Sequence, residues 1–170
     1  KKARTIAAED DATHTQVQGW LRDLGRALGF DVWVASNDRN RSYGDGRLCD
    51  GCIDVIPPSL EQTPAAETIR LIDVLWLRRV VAPASDGSTQ VAAAFEVEHT
   101  TSIYSGIVRM LDLALGVSEH AAANLYLVAP DSREEDVRDQ LRRPAFARIA
   151  DLKIRFLPYS ELEKNREAMA

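Results

Sequence analysis

The sequence predicts an α/β (or α+β) domain, a sheet with helices on both faces. Three observations carry this. Two strong strand-like stretches, 69–82 and 89–98, flank a Ser85-Asp86-Gly87 turn. Two further strand-like stretches, 124–129 and 153–157, are each preceded by a segment of helical periodicity. The 170 residues, 45% of them hydrophobic, suit one domain with a full core.

Residues 1–12 are charged and alanine-rich and read as a lead-in or linker, with the domain proper at 13–170. Asp11 or Thr13 is placed to cap a helix whose apolar face is Val17, Trp20, Leu21, Leu24 and Leu28, ending at Gly29. Phe30 to Ala35 reads as the first strand. Residues 36–68 are irregular, turn-rich around Asn37 to Gly46 and punctuated by Pro57, Pro58 and Pro64, with a short strand expected between Leu48 and Ile56. So long a connection is usually functional or mobile, and any substrate reading is expected there.

The strands at 69–82 and 89–98 form the expected hairpin. Asp73 lies 13 residues before Asp86 and Glu98 lies 12 after it, so antiparallel pairing brings the two toward one end, with room for a slip of a few residues. Ile103, Ile107, Met110, Leu111 and Ala114 give the next helix its buried face, with Thr101 or Ser102 as cap and Gly116 as end. Asn124 to Ala129 is a buried strand. Pro130-Asp131-Ser132 turns into a helix carrying Val137 and Leu141, broken or restarted at Pro144. Lys153 to Leu157 is the last strand, and Ser160 is placed to cap a tail helix.

The chemistry concentrates at two points. Successive strand side chains alternate faces, so Glu96 and Glu98 share one face while Phe95 and Val97 share the other. Adjacent carboxylates repel, and strands disfavour Glu. Asp73 interrupts the apolar run Leu71-Ile72-Asp73-Val74-Leu75, where a buried, unpaired carboxylate costs about 3 kcal/mol or more. A divalent cation held by Asp73, Glu96 and Glu98 would relieve both. The plainer alternatives are a solvent-facing strand edge for the two glutamates and an arginine, Arg70 or Arg109, beside Asp73.

Other chemistries find less support. The net charge of −5 is not that of a nucleic-acid coat, so basic surface must be local. Arg39, Arg41 and Arg47 form one cluster, and Arg133, Arg138, Arg142, Arg143 and Arg148 another; solvated arginines beside acids explain each as well. Cys49 and Cys52 form one C-x-x-C without a second pair, so free thiols in a reducing cytoplasm are expected over zinc. No stretch reads as a secretory signal or a membrane span. There is no G-x-S-x-G elbow and no phosphate-binding Gly-rich loop. The first residue is Lys, consistent with one domain of a longer protein.

An αβββαβ order with an Asp on its second strand and Glu96-Val97-Glu98 on its third resembles the PD-(D/E)XK, or restriction endonuclease-like, nuclease superfamily across about residues 13–157. Glu98 stands where that family usually has Lys, so the chain resembles its E-x-E variants. The segments His14 to Gln18, Phe95 to Gly106, Val128 to Asp131 and Arg142 to Phe146 resemble bacterial domains of restriction or defence settings. The resemblance implies a central mixed sheet flanked by helices and a Mg²⁺-dependent endodeoxyribonuclease, with Mn²⁺ able to substitute. It implies Asp73 and Glu96 as metal ligands, the Val97 main-chain carbonyl as a third, and Glu98 as a base through water or a further ligand. His14 and Gln18, at i and i+4 on the first helix where the family often has an acid, are expected as surface polar residues, with ordering of water or phosphate as the alternative. His99 would be structural or support the site; Ser102 and Arg109 would lie by it near a helix start. DNA is the implied partner, with RNA open and a homodimer compatible. The competing reading is a degenerate nuclease fold that binds DNA or a protein partner without cutting.

Overall fold

A computed structural model describes residues 2–79, 89–99, 103–116, 124–147 and 154–168, with side chains from Thr13 onward. The first helix, α1 (Lys2–Ala27), starts well before the expected caps, so residues 2–12 continue it. Gly29, at a φ of 84°, ends the turn after it as expected. Then come β1 (Asp31–Val34), a two-residue hairpin of β2 (Ser42–Tyr43) and β3 (Gly46–Arg47), and short helices α2 (Pro58–Glu61) and α3 (Ala66–Ile69). Next are β4 (Val74–Arg79), β5 (Thr89–Val97), α4 (Ile103–Gly116) and β6 (Leu125–Ala129). The chain closes with α5 (Glu134–Leu141), α6 (Pro144–Ala147), β7 (Ile154–Pro158) and α7 (Tyr159–Ala168).

Five strands form one mixed sheet in the order β1-β4-β5-β6-β7. β4 is antiparallel to both β1 and β5, while β5, β6 and β7 run parallel. Parallel neighbours need crossover connections. Here α4 joins β5 to β6, and α5 and α6 lie between β6 and β7. The sheet is covered on both faces, as an α/β core with parallel strands requires. Ile69, Ile72, Leu75, Ile107, Met110, Leu113, Leu127 and Val137 form one buried cluster, with helix residues from α3, α4 and α5. Val17, Leu21, Val32, Val34, Val74, Phe95, Val97, Val128 and Leu162 form the other, under α1 and α7.

Three local expectations are corrected. The strand expected from Ile69 starts only at Val74: Ile69 ends α3, and the chain turns through residues 70–73. Ile69 and Ile72 are both fully buried, and their i, i+3 spacing serves a helical turn as well as a strand. No strand lies between Leu48 and Ile56. That stretch is a chain of turns that buries Leu48 and Ile56 at its two ends. Ser160 does not cap the tail helix; its hydroxyl donates to Asp131 Oδ1 at 2.5 Å and its N–H to Asp131 Oδ2 at 3.2 Å.

The β4–β5 register decides where the acids meet. Val74 pairs with Phe95, so Asp73 lies level with Glu96 rather than Glu98. A bulge falls where Trp76 pairs with Ala93 but Leu77 pairs with Val91. The ends of β1, β5, β6 and β7 and the start of β4 thus share one end of the sheet. The Ser85-Asp86-Gly87 turn lies outside the described residues.

Trp76 anchors α1 to this sheet. Its indole N–H donates to the Leu21 carbonyl at 3.0 Å, and its ring stacks on Phe30 and tilts against Phe95. Gly25 lets the helix pass over it, since a Cβ there would meet the indole nitrogen at 2.3 Å. Gly25→Ala gains about 1 kcal/mol of helix propensity but forces the ring out and breaks its hydrogen bond. We expect a net loss of about 1–3 kcal/mol in a urea titration; an unchanged midpoint would show that the ring has room to move.

Candidate active site

Asp73 is 5% exposed and sits in the turn just before β4, at the sheet end where β5 finishes. Its two carboxylate oxygens serve two different elements. Oδ2 accepts the Val97 main-chain N–H at 2.7 Å, which ties the acid to β5. Oδ1 accepts from the Gln18 amide at 3.1 Å and lies 3.4 Å from His14 Nε2, which ties it to α1. His14 and Gln18 lie one helical turn apart, so both reach the same end of the sheet. Burial works against a charge on His14, but the hydrogen bond to Asp73 and the charges of Asp73 and Asp38 outweigh it, and its pKa lies above the ordinary histidine value.

Glu96 is completely buried. Arg109 grips it with two hydrogen bonds, Nε to Oε1 at 2.9 Å and Nη2 to Oε2 at 2.5 Å. Burial pushes the Glu96 carboxyl well up, the Asp73 charge adds to the rise, and the Arg109 bonds oppose it. The Arg109 guanidinium is itself raised by that bond. Sequence reasoning offered an arginine for Asp73; the structure gives it to Glu96. Arg70, the other candidate, pairs with Glu61 and Glu67 on the surface.

Glu98 is 3% exposed, so the solvent-facing strand edge is overturned for both glutamates. The two share a face under α4. A Cβ on Gly106 would meet Glu98 Oε1 at 2.9 Å and Glu96 Cβ at 3.2 Å, so that glycine lets the helix lie over both acids. Val97 points to the opposite face, into the α1 cluster.

His99 follows β5. Its ring stacks on Tyr159 with centroids 6.0 Å apart, and its carbonyl accepts from Arg133 Nη1 at 3.1 Å. The Tyr159 hydroxyl pKa is pushed up by burial and by the charges of Asp73 and Glu98, which places those acids in its surroundings. Ser102 lies outside the described residues.

Sequence reasoning missed Asp38. It is 4% exposed, in the turn after β1, and accepts the other hydrogen bond of the Gln18 amide at 2.9 Å. His14 Nε2 lies 3.9 Å away, and Arg41 Nε pairs with Asp38 Oδ1 at 2.7 Å. Among the described residues, one group of three potential ligands lies mutually within 4.8 Å: His14, Asp38 and Asp73. Asp73, Glu96 and Glu98 stand at the same sheet end but do not converge that closely. Nothing in the polar run Asn37-Asp38-Arg39-Asn40-Arg41 distinguished this aspartate, because a turn acid and a site acid have the same local sequence.

The arginine clusters carry acid partners. Arg39 pairs with Asp54 and lies over Trp33, Arg41 pairs with Asp38, Arg133 with Asp136, Arg138 with Glu134 and Arg142 with Asp139. Cys49 and Cys52 are free, and burial raises the Cys52 thiol to about 11.

The Glu96–Arg109 pair makes a sharp expectation. Arg109→Met leaves a buried carboxylate without its cation and should cost about 3–5 kcal/mol. Adding Glu96→Gln removes the stranded charge and should recover most of that loss in a double-mutant cycle read by denaturant unfolding. Additive losses would mean that the two side chains act separately.

Among the described residues no helix is long and apolar enough to cross a membrane. No solved structure matches the chain. The Type II restriction enzyme NmeDI of Neisseria meningitidis serogroup C is 31% identical over 158 residues, covering 89% of this chain and 41% of the relative. The chain therefore spans less than half the length of that protein. The family model described as the Type II restriction enzyme NmeDI C-terminal domain matches residues 1–169, and the chain belongs to that family.

Proposed function

We propose that this chain is the metal-dependent endonuclease domain of a restriction enzyme, hydrolysing DNA phosphodiester bonds in restriction or anti-phage defence. The observation that carries it is the buried Asp73 carboxylate, held between α1 and β5 at the sheet end that also bears Glu96 and Glu98. Kinship with a protein named a Type II restriction enzyme supports the same reading. The αβββαβ order and the acids at 73, 96 and 98 suit a PD-(D/E)XK-type domain of the E-x-E variant.

The donor chemistry fits Mg²⁺. Carboxylate oxygens and a main-chain carbonyl are the hard ligands that Mg²⁺ takes alongside water and phosphate. Asp73, Glu98 and the Val97 carbonyl would hold it, with Glu96 contributing through whichever oxygen Arg109 releases. Mn²⁺ would substitute. When bound, the ion polarises the phosphate and lowers the pKa of a bound water.

The chain's own residues supply the rest. The Val97 N–H fixes one Asp73 oxygen, so the acid cannot rotate away from the site. The Gln18 amide fixes the other. With no Lys at the position of Glu98, that carboxylate would accept the proton of the attacking water. Arg109, with a hydrogen bond to each Glu96 oxygen, opposes the upward push that burial gives this carboxyl. Burial of all three acids limits competing solvent.

A second reading, a recognition module that binds DNA or a protein without cutting, is favoured by one observation: Arg109 engages both Glu96 oxygens, leaving that acid little freedom to ligate. The test is cleavage of supercoiled plasmid with Mg²⁺ or Mn²⁺, for the chain as given and within the longer protein. Asp73→Asn and Glu98→Gln should each lower nicking by about 100-fold or more, and chelator should abolish it. Salt-sensitive DNA binding without nicking, indifferent to chelator, would favour the recognition module.

A further inference from the structure

We infer that His14, Asp38 and Asp73 form a binding position for a divalent transition cation of the Mn²⁺ or Zn²⁺ type, with Gln18 as a fourth donor. This goes beyond the nuclease reading, since the cation would bind whether or not DNA is cut. It shares only Asp73 with the carboxylate site.

The first argument is spacing. Ligands at about 2.1 Å from a metal lie about 3.0 Å apart along an octahedral edge and about 3.4 Å apart along a tetrahedral one. His14 Nε2 lies 3.4 Å from Asp73 Oδ1 and 3.9 Å from Asp38 Oδ2, and the three ligand atoms all fall within 4.8 Å of one another. Small side-chain rotations close those distances on one ion. The residues come from α1, the turn after β1 and the turn before β4, so three packed segments hold the geometry.

The second argument is Gln18. This side chain is completely buried. Its amide nitrogen donates to Asp38 at 2.9 Å and to Asp73 at 3.1 Å, using both N–H bonds on the two acids. Its carbonyl oxygen has no hydrogen-bond partner among the described residues. Buried acceptors without partners are rare, because desolvation is not offset. Turning the amide over would aim that oxygen at two carboxylates, which is repulsive unless a cation lies between them. A bound cation therefore gives the oxygen a role and screens the two acids from each other.

The third argument is ligand type. One imidazole nitrogen with carboxylate and amide oxygens suits Mn²⁺ or Zn²⁺, whereas Mg²⁺ and Ca²⁺ prefer oxygen alone. His14 is about a quarter exposed, so an ion and its remaining waters have a way in.

The test is metal binding rather than cleavage. Mn²⁺ and Mg²⁺ are titrated calorimetrically into the parent chain, His14→Gln, Asp38→Asn and Glu96→Gln, with thermal unfolding to confirm that each variant is folded. Bound Mn²⁺ is also examined by electron spin-echo modulation for a coupled imidazole nitrogen. We expect Mn²⁺ to bind more tightly than Mg²⁺ and to show the nitrogen signal. His14→Gln should erase the signal and the preference, and Asp38→Asn should weaken Mn²⁺ binding about tenfold or more. Glu96→Gln should leave the signal intact even where it lowers any cleavage, which separates this position from the nuclease reading. No Mn²⁺ binding by the parent, a nitrogen signal that survives His14→Gln, or a folded Asp38→Asn with parental affinity would each overturn the assignment.

Discussion

The hydrogen bond from the Val97 N–H to Asp73 is the constraint around which this end of the molecule is arranged. A carboxylate at this depth is costly unless its oxygens are satisfied. Asp73 meets that demand by reaching in two directions, to the β5 backbone and to the side chains of α1. That links the first helix to the middle of the sheet at one point. It also fixes where the chain must turn: β4 can begin only after Asp73 has been brought level with the end of β5. The slip in β4–β5 register, the bulge near Trp76 and the turn through residues 70–73 all fit that placement.

Glu96 meets the same demand differently, and Glu98 shares its face. Both lie beneath α4, on the face opposite the α1 cluster. Glu96 receives a planar guanidinium that matches its two oxygens, an arrangement a lysine could not reproduce. Gly106 is the other half of that solution. Only a residue without a side chain lets α4 come close enough for Arg109, one turn further on, to reach down to the strand. Asp73 and Glu96, level with each other in register, are thus satisfied by unrelated means, which keeps them at one place without requiring them to share a partner.

The sheet and the acids on its strands were legible because they break local rules. Asp73 stands in an apolar run, and Glu96 and Glu98 alternate with core residues; such misfits point to tertiary compensation. The apolar periodicity of α1 and α4 was equally plain. What sequence could not supply was the partner of each acid. Arg109 lies 13 residues from Glu96 and Gln18 lies 55 from Asp73, so nothing local connects them. Asp38 was invisible for a further reason: it obeys its local rules. In a polar turn an aspartate needs no explanation, and only its burial against Gln18 shows that it belongs with Asp73.

The two faces of the sheet end therefore carry different chemistry. On the α4 side the donors are carboxylates, one already held by a cation of the protein's own. On the α1 side an imidazole and an amide join two aspartates, and the amide spans the gap between them with its nitrogen. Asp73 belongs to both, because one of its oxygens faces β5 and the other faces α1. Any charge that arrives on one side must be felt on the other through that single carboxylate, since fields between groups a few ångströms apart are weakly screened when buried. The state of Gln18 and His14 thus bears directly on the charge that Asp73 presents at the end of β5. That coupling follows from the bonding of one residue and needs no movement of the fold.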